Sequence, residues 1–322
     1  AGNDKYRTDY SWSQGAGHFG AGMLIDLAGD DDYFCGTESQ GFGSTLGVGL
    51  ILDATGDDSY RGSDTARLSE PFNDRPISFA QGAGFGRRAD YGDGHSLAGG
   101  VGILVEGAGD DDYYGNIYSQ GCAYWWSLGI CEDLGGNDSY RCLWYSLGSA
   151  PHFAIGCMVD TEGDDSYNME AKDAYVQYQG CARDGSMAVF MDGDGNDQYF
   201  LRNRCGGAGD LGSIAVFWDR FGDDLYYVQL KNPYGKDLPL GGAVQYPKNG
   251  TFRDKMATVG LFMDTAGNDR YEQKGELAKK KTFPWYDSSN WRNYTDYPFL
   301  GFGLDADIML PAPEPKEKPE KK

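Results

Sequence analysis

The chain has 322 residues, of which 40 % are hydrophobic and 14 % aromatic, and this composition excludes an intrinsically disordered protein. Asp and Glu number 49 against 28 Lys and Arg, and the resulting net charge of −21 argues against nucleic acid and anionic membrane surfaces as partners. No apolar run approaches the roughly 20 residues of a spanning helix, so we expect no membrane span.

A motif that ends in tyrosine recurs along the chain. The segment Ile51–Tyr60 shows it: an apolar run, an acid, two variable residues, Gly, Asp or Asn, Asp, a variable residue and Tyr. A shortened copy, Ala1–Tyr6, opens the chain. The eight complete copies end at Tyr33, Tyr60, Tyr113, Tyr140, Tyr167, Tyr199, Tyr226 and Tyr271. Most copies are 27 residues apart, which is the signature of a repeat protein.

We predict a repeat domain over residues 1–273. Where the interval between two tyrosines is longer than 27 residues, the repeat contains an insertion. The insertions lie near 61–80, 87–97, 169–178 and 231–255. Residues 274–310 are predicted to form a C-terminal capping arm and a last half-repeat, and 311–322 a disordered tail rich in Pro, Lys and Glu. The chain begins inside a repeat, without a signal peptide or initiator Met, which indicates an excised or proteolytically matured segment.

Each repeat contains one predicted strand of about seven residues just before the acid. Counted back from the tyrosine, positions 12, 10 and 8 are apolar, as in Val48, Leu50 and Leu52, whereas positions 13 and 11 are small. This period-2 pattern predicts a strand whose aliphatic face, at positions 12, 10 and 8, is the core face. A recurring Gln-Gly pair, such as Gln40-Gly41, is predicted to form a turn.

One strand, an acidic turn, a second strand that opens with Tyr and a Gln-Gly turn make one 27-residue coil. Stacked coils predict an all-β fold, a parallel β-solenoid of about nine 27-residue coils, with like residues about 4.8 Å apart. The alternative is a closed, propeller-like ring of β-hairpin repeats, or a filament joined end to end. Either would use the complementary half-repeats at the two ends, Ala1–Tyr6 and Gly301–Asp305.

The acidic turn has three informative columns. The first is Gly in all nine copies, which predicts a backbone with positive φ, and the second alternates between Asp and Asn, as turns tolerate. The third is always aspartate, which indicates a requirement for full negative charge. Its members are Asp4, Asp31, Asp58, Asp111, Asp138, Asp165, Asp197, Asp224 and Asp269.

Stacked carboxylates repel one another by roughly 0.8 kcal/mol per neighbouring pair in water, and by about 3 kcal/mol at an effective dielectric of 20. Cations would remove this cost, and oxygen ligands without His or Cys favour Ca²⁺ over Zn²⁺ or Cu²⁺. The acid seven residues before each tyrosine, exemplified by Asp26, Asp53 and Asp192, is either a second ligand or the polar end of the strand. The alternative is a turn without metal, in which backbone amides satisfy the carboxylates.

The segments Gly107–Tyr113 and Gly193–Tyr199 resemble the nonapeptide of the RTX, or haemolysin-type, calcium-binding repeats. In that family the nonapeptide builds a parallel β-roll whose motif aspartates and turn carbonyls hold Ca²⁺ between successive turns. The resemblance therefore implies that the third-column aspartates are calcium ligands. It covers about nine residues of each 27-residue repeat. The loop Asp192–Asp197 also resembles the calcium loops of integrin-type propellers, which suits the ring alternative.

No catalytic motif is evident: the sequence has no nucleophile elbow, no HExxH and no Walker loop, and His18, His95 and His152 lie in no motif with a nucleophile or acid. The seven cysteines lack metal-binding spacing and are predicted to be small buried residues, with disulfides as the alternative.

The sequence thus favours a non-enzymatic scaffold stabilised by calcium, a surface component or filament subunit located outside the bacterial cytoplasm: extracellular, at the cell surface or periplasmic. Its partner would be a protein or a second copy. Two alternatives involve carbohydrate: a binding module that uses exposed tyrosines, and a polysaccharide-active β-helix enzyme. The enzyme would place its site in the insertions, which contain Arg87 and Asp90.

Overall fold

A computed structural model describes residues 2–67, 75–90, 92–169, 178–229, 239–244, 252–273, 290–294 and 299–306. The predicted tail, and much of the capping arm and the insertions, lie outside these ranges. The described residues form strands, turns and one short 3₁₀-helix, Phe252–Lys255. Among them no helix is long and apolar enough to cross a membrane.

The strands are short and are numbered in chain order. They are β1 (Lys5–Arg7), β2 (Ala21–Ile25), β3 (Asp32–Cys35), β4 (Val48–Leu52), β5 (Ser59–Gly62), β6 (Gly84–Phe85), β7 (Val101–Glu106), β8 (Asp112–Tyr114), β9 (Ala123–Tyr124), β10 (Leu128–Asp133), β11 (Ser139–Arg141), β12 (Ala150–Pro151), β13 (Ile155–Val159), β14 (Ser166–Tyr167), β15 (Ala182–Arg183), β16 (Met187–Asp192), β17 (Gln198–Arg202), β18 (Gly209–Asp210), β19 (Ile214–Asp219), β20 (Leu225–Gln229), β21 (Ala243–Val244), β22 (Thr258–Asp264), β23 (Arg270–Gln273), β24 (Asn290–Tyr294) and β25 (Phe299–Asp305).

Two long sheets carry most of these strands. Sheet 1 has nine strands in the order β1-β3-β5-β8-β11-β14-β17-β20-β23, and sheet 2 has ten in the order β2-β4-β7-β10-β13-β16-β19-β22-β25-β24. A four-stranded sheet, β12-β15-β18-β21, and the pair β6-β9 form a shorter third side. Strand pairs are parallel throughout, except that β24, within the predicted capping arm, lies antiparallel along β25.

Like positions of successive repeats lie side by side. Tyr33 pairs with Tyr60, and Tyr60 pairs with Tyr113 across the longest interval, so the insertions leave the register unchanged. The prediction of an all-β fold with long parallel sheets is confirmed, and this pairing is what a parallel β-solenoid requires. A ring of hairpins would instead require antiparallel pairs within each repeat.

The prediction about which strand face forms the core is wrong. Val48, Leu50 and Leu52 point outward and are exposed or half-buried, whereas Gly49 and Ile51 point into the coil. The coil is narrow here, since a Cβ on Gly49 would lie 2.1 Å from the carbonyl oxygen of Phe42, in the Gln-Gly segment of the same coil. Only a small residue fits at that point, and the larger aliphatic side chains therefore take the outer face.

The repeat tyrosines form the centre of the core. Their rings stack from coil to coil, with centroids 4.7 Å apart for Tyr33 and Tyr60 and 5.0 Å apart for Tyr167 and Tyr199. From Tyr33 to Tyr226 every repeat tyrosine is 0 % exposed. A buried ladder offers no surface to a sugar ring, so the carbohydrate-binding alternative loses its main support.

The glycine of the acidic turn has positive φ in every copy, between 128° at Gly267 and 156° at Gly195, as predicted. Stacking adds a second constraint: a Cβ on Gly163 would lie only 1.4 Å from the carbonyl oxygen of Gly136 in the preceding coil. The turn therefore needs glycine both for its conformation and for the close approach of successive coils. The seven cysteines form no disulfide among the described residues, and six of them are buried, which fits their predicted role as small apolar residues.

Candidate metal centre

The third-column aspartates connect successive coils through their side chains. The backbone N–H of Asp111 donates to Oδ1 of Asp138 at 2.7 Å, and the N–H of Asp138 donates to Oδ1 of Asp165 at 2.7 Å. The same bond recurs along the column from Asp4 to Asp269. From Asp31 to Asp269, one oxygen of each carboxylate therefore accepts a backbone N–H, as the metal-free alternative requires.

The neighbouring column of alternating Asp and Asn makes a similar ladder at the surface, in the opposite direction. The N–H of Asn137 donates to Oδ1 of Asp110 at 2.8 Å, and the N–H of Asp164 donates to Oδ1 of Asn137 at 3.0 Å. An amide oxygen and a carboxylate oxygen accept this bond equally well, and both residues are exposed. This explains why the chain interchanges Asp and Asn in this column and not in the next.

A second column of acids lies inside the solenoid, at the end of each strand of sheet 2. These acids accept hydrogen bonds from the tyrosine ladder. The hydroxyl of Tyr113 donates to Oδ2 of Asp133 at 2.6 Å, and the hydroxyl of Tyr167 donates to Oδ2 of Asp192 at 2.6 Å. The tyrosines thus both fill the core and hold the second column of carboxylates in place.

The two acidic columns face each other, and their oxygens come together in groups. Within each group the facing carboxylate oxygens all lie within 4.8 Å of one another. The groups include Asp26 with Asp31 and Asp53, Asp53 with Asp58 and Glu106, Asp111 with Asp133 and Asp138, Asp138 with Asp160 and Asp165, and Asp165 with Asp192 and Asp197. Every member is at most 5 % exposed.

Several oxygens between the columns have no hydrogen-bond partner. In the third column they are Oδ2 of Asp58, Asp111 and Asp138, and in the strand-end column they are Oδ1 of Asp53, Asp160 and Asp192. Facing carboxylates cannot bond to each other when both are ionised, because neither carries a proton to donate. A buried oxygen left in this state is costly, so the gap between the columns calls for a cation or a proton.

Burial raises the pKa of the third-column aspartates, and repulsion from neighbouring acids adds to this effect. Burial raises the pKa of Asp58 to about 7, and it raises the pKa of Asp111 to about 8. The same cause raises the pKa of Asp138, Asp165 and Asp197 still further. The raised pKa values show that burial in this region favours a proton, or an equivalent positive charge, on these carboxylates.

Asp26, just after the first strand of sheet 2, shows the opposite shift, because its pKa is lowered rather than raised. Asp26 accepts a hydrogen bond from the Tyr6 hydroxyl and others from the backbone of Leu27 and Ala28, and these bonds outweigh the effect of burial. They hold the pKa of Asp26 below its usual value. The need for a compensating charge therefore arises in the interior of the stack, where acids of neighbouring coils face one another.

The donor set fits a calcium ion. All the facing atoms are carboxylate oxygens, which Ca²⁺ binds at about 2.3–2.6 Å, and two ligands on opposite sides of one ion lie about 4.8 Å apart. The absence of nitrogen and sulfur donors in these groups makes zinc and copper poor fits. Each coil adds two carboxylates to the facing columns, so one divalent cation per coil would balance the charge.

Most of the predicted ligands come together. Asp26, Asp31, Asp53, Asp58, Asp111, Asp138, Asp165, Asp192 and Asp197 belong to the groups of facing carboxylates. Asp224 and Asp269 continue the third column, where the N–H of Asp224 donates to Oδ1 of Asp269 at 2.8 Å. Asp4 differs, because it lies exposed at the edge strand of sheet 1.

The possible second ligand, seven residues before each tyrosine, extends to five further acids of the strand-end column. Glu106, Asp133 and Asp160 belong to the facing groups, and Asp219 and Asp264 occupy equivalent buried positions. Asp305 was missed: it pairs in register with Asp264 and is 2 % exposed. The sequence feature that could have identified it is the last half-repeat, which ends with this acid.

Two tyrosines of the ladder allow the hydrogen bond to the acids to be tested. The Tyr167 hydroxyl donates to Asp192 at 2.6 Å and also lies 3.1 Å from Asp160, whereas the buried Tyr60 hydroxyl has no partner. The acid opposite Tyr60 is Glu106, the only glutamate in its column, and its carboxylate bonds instead to the N–H of Gly107. We expect Tyr167→Phe to cost roughly 1.5–3 kcal/mol, as for bonds to charged acceptors, and Tyr60→Phe to cost under about 0.5 kcal/mol or to stabilise.

Urea unfolding of the two variants beside the wild type measures both effects. Because both residues are fully buried in one ring stack, the ring contacts that each variant keeps are closely matched. Equal losses in the two variants would show that the hydroxyl bonds contribute nothing measurable.

Two arginines of the insertion at 87–97 are paired locally. Arg87 pairs with Asp93 at 2.7 Å and Arg88 pairs with Asp90 at 2.7 Å. Arg87 and Asp90, the residues named for the polysaccharide-active alternative, therefore have different partners. The sequence also gave no sign that His152 Nδ1 lies 2.7 Å from Oδ2 of Asp184, a pair that comes from neighbouring coils.

Comparison with known proteins identifies no family for this chain. No protein-family model matches the chain, and neither a curated protein nor a solved structure matches it.

Proposed function

We propose that the protein is a non-enzymatic structural scaffold: a parallel β-solenoid of about nine coils whose facing columns of buried carboxylates hold Ca²⁺. In this proposal calcium is part of the fold rather than part of a reaction. Each ion joins acids of two successive coils, so that binding stiffens the stack along its length. The protein would act as a surface component or filament subunit outside the cytoplasm, where the supply of calcium is high enough for sites of modest affinity.

The observation that carries the proposal is the pair of facing columns with unpartnered, buried oxygens. Asp111 and Asp138 together with Asp133 illustrate one unit: three carboxylates from two successive coils, with facing oxygens within 4.8 Å. A metal-free chain must instead protonate these acids, as the raised pKa of Asp111 indicates. Protons and calcium therefore compete for the same place, and calcium has the advantage as pH rises.

Metal analysis of the purified chain tests the proposal directly. The metal-free protein is dialysed at pH 7.5 against 1 mM Ca²⁺, against 1 mM Mg²⁺ and against 1 mM Zn²⁺, and bound metal is measured by mass spectrometry. We expect close to one calcium ion per coil in the described stack and little magnesium, because Mg²⁺ demands a tighter octahedral geometry. A calcium content below one ion per chain would overturn the proposal.

A further inference from the structure

The outer face of sheet 2 is apolar over its whole length. At three outward positions on each of its nine parallel strands the side chain is aliphatic, aromatic or another apolar type, with Glu132 as the single charged exception among the described residues. Val48, Ile155 and Met187 are 43 %, 48 % and 41 % exposed. An exposed apolar face of this extent marks a surface that is covered by a partner.

The outer face of sheet 1 shows that the fold does not require an apolar outer face. Its outward positions include Ser59, Arg61, Arg141 and Gln198, which are polar or charged and face solvent. Both sheets belong to the same stack and have the same strand spacing. The apolar character of sheet 2 is therefore a property of that face alone.

The turn before each strand of sheet 2 supports the same conclusion. Leu46 and Trp126 have φ of 50° and 51°, in the left-handed region, and are 76 % and 57 % exposed. A side chain disfavours this backbone conformation, which glycine adopts readily. Later coils place Gly185 and Gly212 at the equivalent position with φ of 73° and 74°. At these two glycines the side chains of Phe153 and Met256 lie where a Cβ would be, so residues of the same chain cover the turn there, whereas Leu46 is left 76 % exposed.

These side chains form one wall of a groove that runs along sheet 2. Its volume is about 1030 Å³, its floor includes Val101, Leu128 and Ile155, and its wall includes Leu46 and Trp126. The ring of Trp126 stacks on Phe153 with centroids 5.1 Å apart, which extends the wall over two coils. The groove is continuous with the flat face, so one partner would contact both.

We propose that the outer face of sheet 2 binds the same face of a second copy of this chain, so that two solenoids pair sheet against sheet. This inference rests on the proposed scaffold function and supplies its mode of assembly. A flat face with side chains in rows about 4.8 Å apart is best matched by another sheet with the same rows. Contact between identical faces is also the commonest form of oligomer interface.

The size of the face suits a stable dimer. Nine strands about 4.8 Å apart and five residues of about 3.3 Å each give a face of about 40 by 16 Å, or roughly 650 Å². Side-chain relief increases this projected area toward the roughly 800 Å² per partner of a standard interface. Glu132 is the single charged residue at the described outward positions of the nine parallel strands, so the net negative charge of the chain lies mainly away from this face.

Analytical ultracentrifugation of the full chain from 1 to 100 µM, in 2 mM Ca²⁺, tests the pairing. We expect the wild type to sediment with the mass of two chains. Ile103→Glu/Val189→Glu adds two charges at outward positions of sheet 2 and is expected to raise the dissociation constant at least about 100-fold. The matched control, Ser139→Glu/Gln198→Glu, adds the same two charges to the outer face of sheet 1 and should remain dimeric.

Methionine oxidation gives a second measurement. Met187 lies on the proposed interface and is 41 % exposed in a single chain, whereas Met158 is 0 % exposed in the core. Dilute hydrogen peroxide should oxidise Met187 slowly in the wild type and rapidly in Ile103→Glu/Val189→Glu, with Met158 slow in both. Equal oxidation of Met187 in the two proteins would overturn the pairing.

Different results would contradict the calcium proposal and the proposed pairing through sheet 2. Circular dichroism and the thermal midpoint establish that each variant is folded before its mass is interpreted. A folded wild type that stays monomeric at 100 µM, or a sheet 2 variant that dimerises as tightly as the wild type, overturns the pairing while leaving calcium binding untouched. A chain that binds no calcium but forms the dimer overturns the calcium proposal alone.

Discussion

Removal of calcium at pH 8 is expected to lower the thermal midpoint by more than about 15 °C, and at pH 4.5 to leave it unchanged. Each site that binds calcium 100-fold above its dissociation constant adds about 2.7 kcal/mol of stability. Several such sites add roughly 10 kcal/mol, and the unfolding entropy of a 322-residue chain corresponds to about 1.5–2 °C of midpoint per kcal/mol. The measurement is thermal unfolding of metal-free protein with and without 2 mM Ca²⁺ across this pH range.

The direction of the pKa shifts determines how the stabilisation by calcium changes with pH. In the folded, metal-free chain burial raises the pKa of Asp58 to about 7 and of Asp111 to about 8, above the value of about 3.9 in an unfolded chain. The folded state then holds more protons than the unfolded state between about pH 4 and pH 8, so stability falls as pH rises through this window. Calcium replaces the protons, and its effect therefore grows over the same window.

Two controls separate this linkage from other effects of calcium. Magnesium at the same concentration should restore little of the midpoint at pH 8, because it binds poorly to a cage made only of protein carboxylates. Sodium chloride at matched ionic strength corrects for general screening of the net charge of −21. A midpoint that is independent of calcium at pH 8 would contradict the proposal.

The repeat made much of the fold predictable. The fixed spacing of 27 residues predicted that Tyr33 and Tyr60 lie side by side, and they do so in register. The orientation of the strands of sheet 2 was not predictable in the same way. Alternation between Gly49 and Leu50 gives two faces without saying which faces inward, and the usual rule that large apolar residues are buried chose the wrong one. The deciding fact, the close approach of Phe42 to Gly49, depends on contacts between segments.

The candidate site was predictable in composition and less so in geometry. An aspartate in every copy of one column, beside a column that interchanges Asp and Asn, indicated a need for charge, and Asp111 and Asp138 indeed face other buried acids. The sequence offered backbone amides as alternative partners of these carboxylates, but it could not show that the amide comes from the neighbouring coil and takes only one of the two oxygens. Nor did it show that tyrosine hydroxyls hold the opposing column, because the ladder of Tyr113 and its equivalents was expected to pack rather than to donate.

Replacing one aspartate of the buried column by asparagine is expected to change stability in opposite directions with and without calcium. In Asp111→Asn the side-chain oxygen can still accept the N–H of Asp58, at 2.6 Å in the wild type. The new amide nitrogen replaces Oδ2, which has no partner, and can donate to the facing carboxylates. We expect metal-free protein at pH 8 to gain roughly 2–4 kcal/mol, since a buried charge is removed without removing its hydrogen bond.

With calcium present the same variant should be less stable than the wild type and should bind one ion fewer, because an amide nitrogen cannot be a ligand to Ca²⁺. The matched control is Asp110→Asn, one residue away in the exposed column, where the chain itself uses asparagine in other copies. Asp110→Asn should change stability by under about 0.5 kcal/mol in either condition, as expected for surface substitutions. Urea unfolding of both variants at pH 8, with calcium and with chelator, measures the four values. If Asp111→Asn loses stability equally in both conditions, the charge of Asp111 serves the turn alone, and calcium between the columns is ruled out.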